Sequence, residues 1–418
     1  MRFSRPVFLA ACRAAGEILK LEHPADAVLS GFFRHHPELG RQDRATVADT
    51  VFGILRRKRL LEYLTGSRAV PELVLACWAL HLGANLRELK DLASDAALQV
   101  LADAKRKAGE TLPFAVECDL PDWLIERLRQ RFGEDELRAI AGGLLQSAPL
   151  DVRVNLMKSS RERALDQLAS SGIDARPTPF SPAGVRLKGK PAIQREPLFL
   201  EGAIEVQDEG SQLLCYLLSP RRGEMVADFC AGAGGKTLAL GMLMRSAGRL
   251  YAFDVSEKRL AKLRPRVARS GLSNVHVQRI EGEGDVRLTR LAGKIDRVLV
   301  DAPCSGLGTL RRNPDLKWRQ SPSSVEEMAI KQRSILASAS KLVKSGGRLV
   351  YATCSLLDEE NRAVVEEFLA RHTQFQLNPA GEVLAGERIS LEMGPYLELW
   401  PHVHGTDGFF AAVLQRTD

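Results

Sequence analysis

Met225-Val226-Ala227-Asp228-Phe229 runs straight into Cys230-Ala231-Gly232-Ala233-Gly234-Gly235-Lys236-Thr237. An apolar run closed by an acid, then a glycine turn, then apolar residues at helical spacing, reads as the opening of a βα unit. Downstream, strand-like runs recur at residues 249–253, 275–278, 297–300 and 348–351, with a helical stretch at 325–342. Strands alternating with helices over this length predict an α/β fold with a Rossmann-like, parallel, doubly wound sheet in residues 223–418.

Upstream the pattern differs. Residues 1–145 carry apolar side chains three and four apart, in 7–21, 45–64 and 73–82, and predict an all-α domain. Residues 146–222 break into short pieces, with a strand-like 152–155, a helical 161–171 and then closely spaced glycines and prolines, so a small α/β bridging domain is expected there. With 45% hydrophobic and 27% charged residues the 418-residue chain has a globular composition. A net charge of +7 tilts the choice of partner towards a polyanion. Seven cysteines form no C-x-x-C pair, which argues against a disulfide framework or a structural metal and for a reducing, cytoplasmic compartment. No apolar stretch approaches the length of a membrane span, and nothing in the sequence calls for an obligate oligomer, so a monomer is expected.

The glycine turn lets backbone approach a ligand closely, and the helix after it presents free N–H groups. It is not a phosphate-binding G-x-x-x-x-G-K-[ST] loop, because Cys230 occupies the first glycine position. Nor is it a dinucleotide fingerprint, whose third glycine is replaced by Thr237, and this disfavours a nicotinamide dehydrogenase. Asp254 closes the second strand; its carboxylate can accept ribose hydroxyls or cap the following helix. Asp301 closes the fourth. A row of acids along one sheet edge suits an adenosine cofactor with a cationic centre better than a triphosphate.

Cys304 and Cys354 each stand just beyond a strand, in Asp301-Ala302-Pro303-Cys304 and Ala352-Thr353-Cys354. If both strands belong to one parallel sheet, both thiols reach its carboxyl edge, where open α/β folds bind ligands. Buried small hydrophobes are the plain alternative. Ser355-Leu356-Leu357-Asp358 fits a capping box before a helix at 359–370, which would set Cys354 beside a positive helix pole and enlarge its thiolate fraction.

Taken together, Val206-Gln207-Asp208-Glu209-Gly210-Ser211-Gln212, the Cys230–Thr237 loop, Asp254, Asp301-Ala302-Pro303-Cys304-Ser305-Gly306, Asn313-Pro314-Asp315, Thr353-Cys354-Ser355 with Glu359-Glu360-Asn361, and Asp407-Gly408-Phe409-Phe410 resemble the catalytic domain of the Nop/Sun family of RNA cytosine-5 methyltransferases. Gly40-Arg41-Gln42-Asp43-Arg44 and Val51-Phe52-Gly53-Ile54-Leu55-Arg56-Arg57 more faintly resemble the NusB-like RNA-binding domain attached to bacterial ribosomal RNA enzymes of that family. The resemblance implies a class I methyltransferase domain using S-adenosyl-L-methionine. It implies cofactor contacts from Cys230, Ala231, Gly232, Ala233, Gly234, Gly235, Lys236, Asp254, Asp301 and the acid after the third strand, Glu281, with Asp285 as substitute. Ala233 departs from the proline usual in the family's loop.

The resemblance also implies a mechanism. Cys354 attacks carbon 6 of the base, Asp301 hydrogen-bonds the ring, Cys304 assists proton removal and release, and Lys236 orients base or phosphate. A base must leave its stack to be reached, so single-stranded or flipped RNA is the expected partner. Arg311, Arg312, Lys317 and Arg319 around Trp318 are the expected RNA contacts, and Lys258 to Arg269 either a second basic surface or a solvated helix face. Small-subunit (16S) ribosomal RNA is the first candidate substrate, with transfer RNA, 23S RNA and a non-catalytic assembly role as alternatives.

Overall fold

The computed structural model describes residues 3–418, which form two compact units: residues up to Ser147 together with Thr309–Pro322, and Ala148–Gly308 together with Ser323–Asp418. The first unit is helical as expected, with Arg5–Ile18, Ala25–His35, Arg41–Thr65 and Val70–Leu80 packed round a core that includes Val47, Val51, Ile54 and Leu73. Fully buried Trp78 sits in it and donates its indole N–H to Thr50 Oγ1 at 2.7 Å. The segment 309–322, expected in the methyltransferase domain, belongs to this unit instead.

The reason lies in a kink. Helix Arg41–Thr65 departs from helical dihedrals at Arg57 (φ −120°, ψ 26°). A break there frees the carbonyls of residues 55 and 56 and the N–H groups four residues on. Each finds a partner. Asp119 takes the N–H of Arg59 (3.1 Å) and of Leu60 (3.3 Å), Trp318 Nε1 donates to Leu55 O (2.7 Å), and Lys317 Nζ donates to Arg56 O (2.9 Å). Lys317 also donates to Asp119 O and pairs with its carboxylate at 3.5 Å. Lys317 is therefore buried, and burial pulls its ammonium down to about 8. Three of the four cations in the run Arg56-Arg57-Lys58-Arg59 are engaged as well: Arg56 donates to Arg311 O, Lys58 pairs with Glu62, and Arg59 pairs with Asp122.

The second unit holds two sheets. The smaller has strands β1 (Leu150–Val154), β2 (Ala175–Pro177), β3 (Gly184–Leu187) and β4 (Ile204–Val206) in the antiparallel order β2-β3-β1-β4, covered by helix Arg161–Ser170 through Ala164 and Leu168. The larger has β5 (Met225–Asp228), β6 (Arg249–Asp254), β7 (Val275–Arg279), β8 (Ile295–Asp301), β9 (Val343–Thr353), β10 (Phe375–Asn378), β11 (Leu397–Leu399) and β12 (Phe409–Arg416). Its order is β10-β12-β9-β8-β5-β6-β7, with β11 on β12.

Strands β5 to β9 are parallel, as expected, but the sheet is mixed. Strand β12 runs antiparallel against β9, and β10 and β11 run antiparallel against β12. Phe409–Leu414 is buried throughout, which is why the chain returns into the sheet. Chain order reverses at β5, whose neighbours are β6 and β8, so the crevice for ligands lies beyond the carboxyl ends of these strands.

Replacing Lys317 with Met should lower the thermal unfolding midpoint of the helical unit, since it strands Asp119 as an unpaired buried charge, a loss of about 3–5 kcal/mol. An unchanged midpoint would show that the kink is held by something else.

Candidate active site

A cavity of about 400 Å³ opens at that crevice, lined by the glycine turn, by Asp228, Asp254 and Asp301, and by both Cys304 and Cys354. The expected site residues Cys230, Ala231, Gly232, Ala233, Gly235 and Lys236 all line it. Gly234 does not: its left-handed backbone (φ +88°) begins helix Gly235–Leu243, and a Cβ there would collide with Leu263. Its smallness serves helix packing, whereas a Cβ on Gly232 (φ +56°) would meet nothing closer than 4.0 Å.

The acids differ in duty. Asp254 accepts Gly232 N–H at 2.8 Å and Ser256 N–H at 2.7 Å, so it fastens the turn to the end of β6. The cap of helix Glu257–Ser270 is Ser256, which accepts Arg259 N–H, and not Asp254. Asp301 pairs with Lys236 at 2.6 Å. Burial works against that ammonium, but the neighbouring carboxylate outweighs it and holds Lys236 above its ordinary range. Asp228 is fully buried: Oδ2 accepts the Thr237 hydroxyl at 2.7 Å and Oδ1 has no hydrogen-bond partner. Burial pushes its carboxyl up to about 7.

The two sulfurs lie 3.4 Å apart. The contact with Cys354, burial and the charge of Glu360 together hold the Cys304 thiol well above its usual range. The expected capping box does not form. A 3₁₀ turn at Asp358–Glu360 intervenes, helix Arg362–Arg371 starts after Asn361, and Ser355 hydrogen-bonds the Glu360 carboxylate instead of a helix N–H. Cys354 thus lies before a turn pinned by Glu360 rather than beside a helix pole.

Sequence reasoning misplaced other groups. Glu281 is exposed, with its N–H on Asp285 Oδ2 at 2.9 Å, and Asp285 caps a short turn; the acid that lines the cavity is Glu283. Gln207, Ser211, Ile280, Lys331 and Ile335 also line it. Gln207 and Ser211 stand in the stretch 206–212 that carried the resemblance, so a signal for them existed. Of the expected RNA contacts, Arg311 and Lys317 are buried and Trp318 is tied to Leu55 O, a placement that does not suit contact with RNA. Arg319 pairs with Asp315 at 3.3 Å, and Arg312 is half-buried. On helix Glu257–Ser270, Arg266 and Arg269 turn to Glu205, while Lys258 and Lys262 are exposed.

An adenosine carrying a cationic centre needs hydroxyl acceptors, negative charge and room at the backbone, and this cavity supplies all three; that class of protein is the S-adenosylmethionine-dependent methyltransferases. Residues 215–415 match the family model described as 16S rRNA methyltransferase RsmB/F, and residues 120–194 match its ferredoxin-like domain. A Synechocystis protein named probable ribosomal RNA small subunit methyltransferase B is 33% identical, over 96% of this chain and 97% of its own. Ribosomal RNA small subunit methyltransferase B of Pectobacterium carotovorum is 30% identical, over 97% of both. The crystal structure of PH0851 superposes with a TM-score of 0.79 at 27% identity, covering all of both chains. The chain belongs to the RsmB/F family: it is an S-adenosylmethionine-dependent RNA methyltransferase. Among the described residues no helix is long and apolar enough to cross a membrane.

Asp228 sets a pH dependence. Its folded-state value near 7 lies above the unfolded value of about 3.9, so the stability it contributes is present below about pH 4 and lost as pH rises through about 7. Asp228→Asn removes that loss. Relative to wild type, the cofactor-free variant should gain up to about 4 kcal/mol between about pH 4.5 and 8, read from denaturant unfolding at each pH. A difference that stays constant across the range would refute this.

Proposed function

We propose that the chain methylates carbon 5 of a cytosine in small-subunit ribosomal RNA through a covalent adduct on Cys354. The observation that carries this is the 3.4 Å pair of sulfurs inside the cofactor cavity. Two thiols with no disulfide role, converging on one cavity with a carboxylate, are the equipment for adding and later removing a nucleophile at an electron-poor ring. S-adenosylmethionine, when bound, supplies an electrophilic methyl group.

The residues divide the work as follows. The resemblance to the RNA cytosine-5 methyltransferases gives the attack to Cys354, while the contact with Cys354 and burial hold the Cys304 thiol above its usual range. Cys354 Sγ bonds to carbon 6 as the carbon 5–carbon 6 π pair moves to carbon 5, and Asp301, held by Lys236, positions the ring by accepting a hydrogen bond from its exocyclic amino group. After methylation Cys304, its own proton passed to solvent, takes the carbon 5 proton; the C–H pair restores the carbon 5–carbon 6 double bond, the carbon 6–sulfur bond breaks, and its pair returns to Cys354. The base must enter unstacked, so the RNA is single-stranded or flipped at the target. Ribosomal RNA is favoured by the names of the 30–33% identical relatives, which span nearly the whole chain. We assign the enzyme to the reducing cytoplasm, as a monomer.

Bacterial RNA incubated with the enzyme and cofactor, digested and analysed by mass spectrometry, should contain new 5-methylcytidine. Cys354→Ala should lower its formation at least about a thousandfold. Cys304→Ala should accumulate a protein–RNA adduct that survives a denaturing gel. Methylation persisting without Cys354, or methyl groups found elsewhere than on carbon 5, would overturn the proposal.

A further inference from the structure

Strand β1 carries a buried cation with an unusual address. Arg153, 3% exposed, sends Nη1 to the Gln207 side-chain oxygen and, at 3.0 Å, to the carbonyl of Gly235, and its Nε has no hydrogen-bond partner. Among the described residues no ion pair offsets its burial; Glu205, opposite it on β4, is committed to Arg266 at 3.1 Å and Arg269 at 2.7 Å. Arg266 in turn donates to the carbonyl of Ala233 at 2.5 Å. Two carbonyls of the glycine turn are thus each held by a guanidinium, and both guanidinium groups are arranged by the small sheet.

Burying an arginine with an unmet N–H costs free energy that a well-packed apolar side chain of similar size does not incur. A stabilising role accounts poorly for such a residue. What Arg153 touches does account for it: Gln207 and Gly235 both line the cofactor cavity, and Gln207 passes the constraint on by donating to Ser211 Oγ at 3.2 Å, also in the lining. Fixing a carbonyl fixes its whole peptide plane, hence the direction of the next N–H. With the carbonyl of residue 235 held, the Lys236 N–H has one direction; with that of residue 233 held, the Gly234 N–H stays on Ala231 O at 2.9 Å, so the turn keeps one closed shape instead of an ensemble.

We infer that the four-stranded sheet is part of the cofactor site: Arg153, and Arg266 oriented by Glu205, are positioning residues that hold the glycine turn in its binding shape. Neither side chain lines the cavity, so both act through the backbone they grip. The family assignment supplies the ligand; the role of these residues towards it is new.

Calorimetric titration of the full chain with S-adenosylmethionine and with S-adenosylhomocysteine tests this. Arg153→Met and Arg266→Met should each raise Kd about tenfold or more, the scale of one lost charged hydrogen bond. The melting temperature of cofactor-free Arg153→Met should be unchanged or higher, which a purely structural role would not allow. Arg266→Lys, retaining one donor, should recover part of the affinity, and Arg264→Met, exposed on the same helix, should leave Kd as it was. Should Arg153→Met not fold, Arg266→Met decides the matter by itself. Values of Kd within about twofold of wild type in both methionine variants, or affinity lost only in step with melting temperature, would overturn the inference.

Discussion

The Glu360 carboxylate, wholly buried, joins the loops that carry the two cysteines, and the geometry of the site depends on it. It accepts Ser305 N–H at 2.8 Å and Ser305 Oγ at 2.5 Å from the loop after β8, and Ser355 Oγ from the loop after β9. Gln332 Nε2 adds a fourth bond at 3.0 Å from helix Pro322–Ser340. A buried carboxylate is tolerated only when its lone pairs are met, and here neutral donors from three elements meet them. Losing any one leaves a charge short of partners, so the three elements are locked to one arrangement. Backbone contacts extend the lock: Gly308 N–H donates to Cys354 O and Gly408 N–H to Gly308 O, each at 2.8 Å. A Cβ on Gly308 would collide with both Gly408 and Cys354, so the approach of these strands fixes glycine there.

The β-strands of the parallel sheet and their closing acids were legible because each is a local pattern: apolar residues four to seven long, an acid, a turn. Asp228, Asp254 and Asp301 end three strands that lie side by side, which follows from the topology once the βα alternation is recognised. The mixed character of the sheet was not legible. Phe409–Arg416 reads as a strand of unknown direction, and only its pairing with β9, Phe410 opposite Thr353, settles the orientation. The roles within the glycine turn were hidden for the same reason: what separates Gly234 from Gly232 is the distant Leu263.

The basic residues around Trp318 teach a related point about charge. By composition they form a nucleic-acid motif, cations flanking an aromatic after a catalytic loop. In the fold, Lys317 and Trp318 complete a helix broken 260 residues earlier in the chain, at a place whose dihedrals no residue type announces. A backbone carbonyl freed by a kink needs a donor as surely as a phosphate does, and lysine and tryptophan meet either demand. Sequence records the donors but not the acceptors, and for Lys317 and Trp318 the acceptors are the carbonyls of the kink.

Charge in the cavity is arranged with the same economy. The lining carries the cations Lys236, Arg259 and Lys331; Asp301 takes up Lys236, and Arg259 lies 3.6 Å from Asp254. Beneath the turn Asp228 makes no ion pair among the described residues; burial and the charges of Asp301 and Asp254 raise its carboxyl against the opposing pull of Lys236. A cavity so furnished disfavours further negative charge and favours a positive one, because a cation there relieves the mutual repulsion of the carboxylates as well as its own desolvation. The parallel sheet thus sets the spacing of three strand-end acids that favour a cationic centre, while the glycine turn above them is held in place by the small sheet.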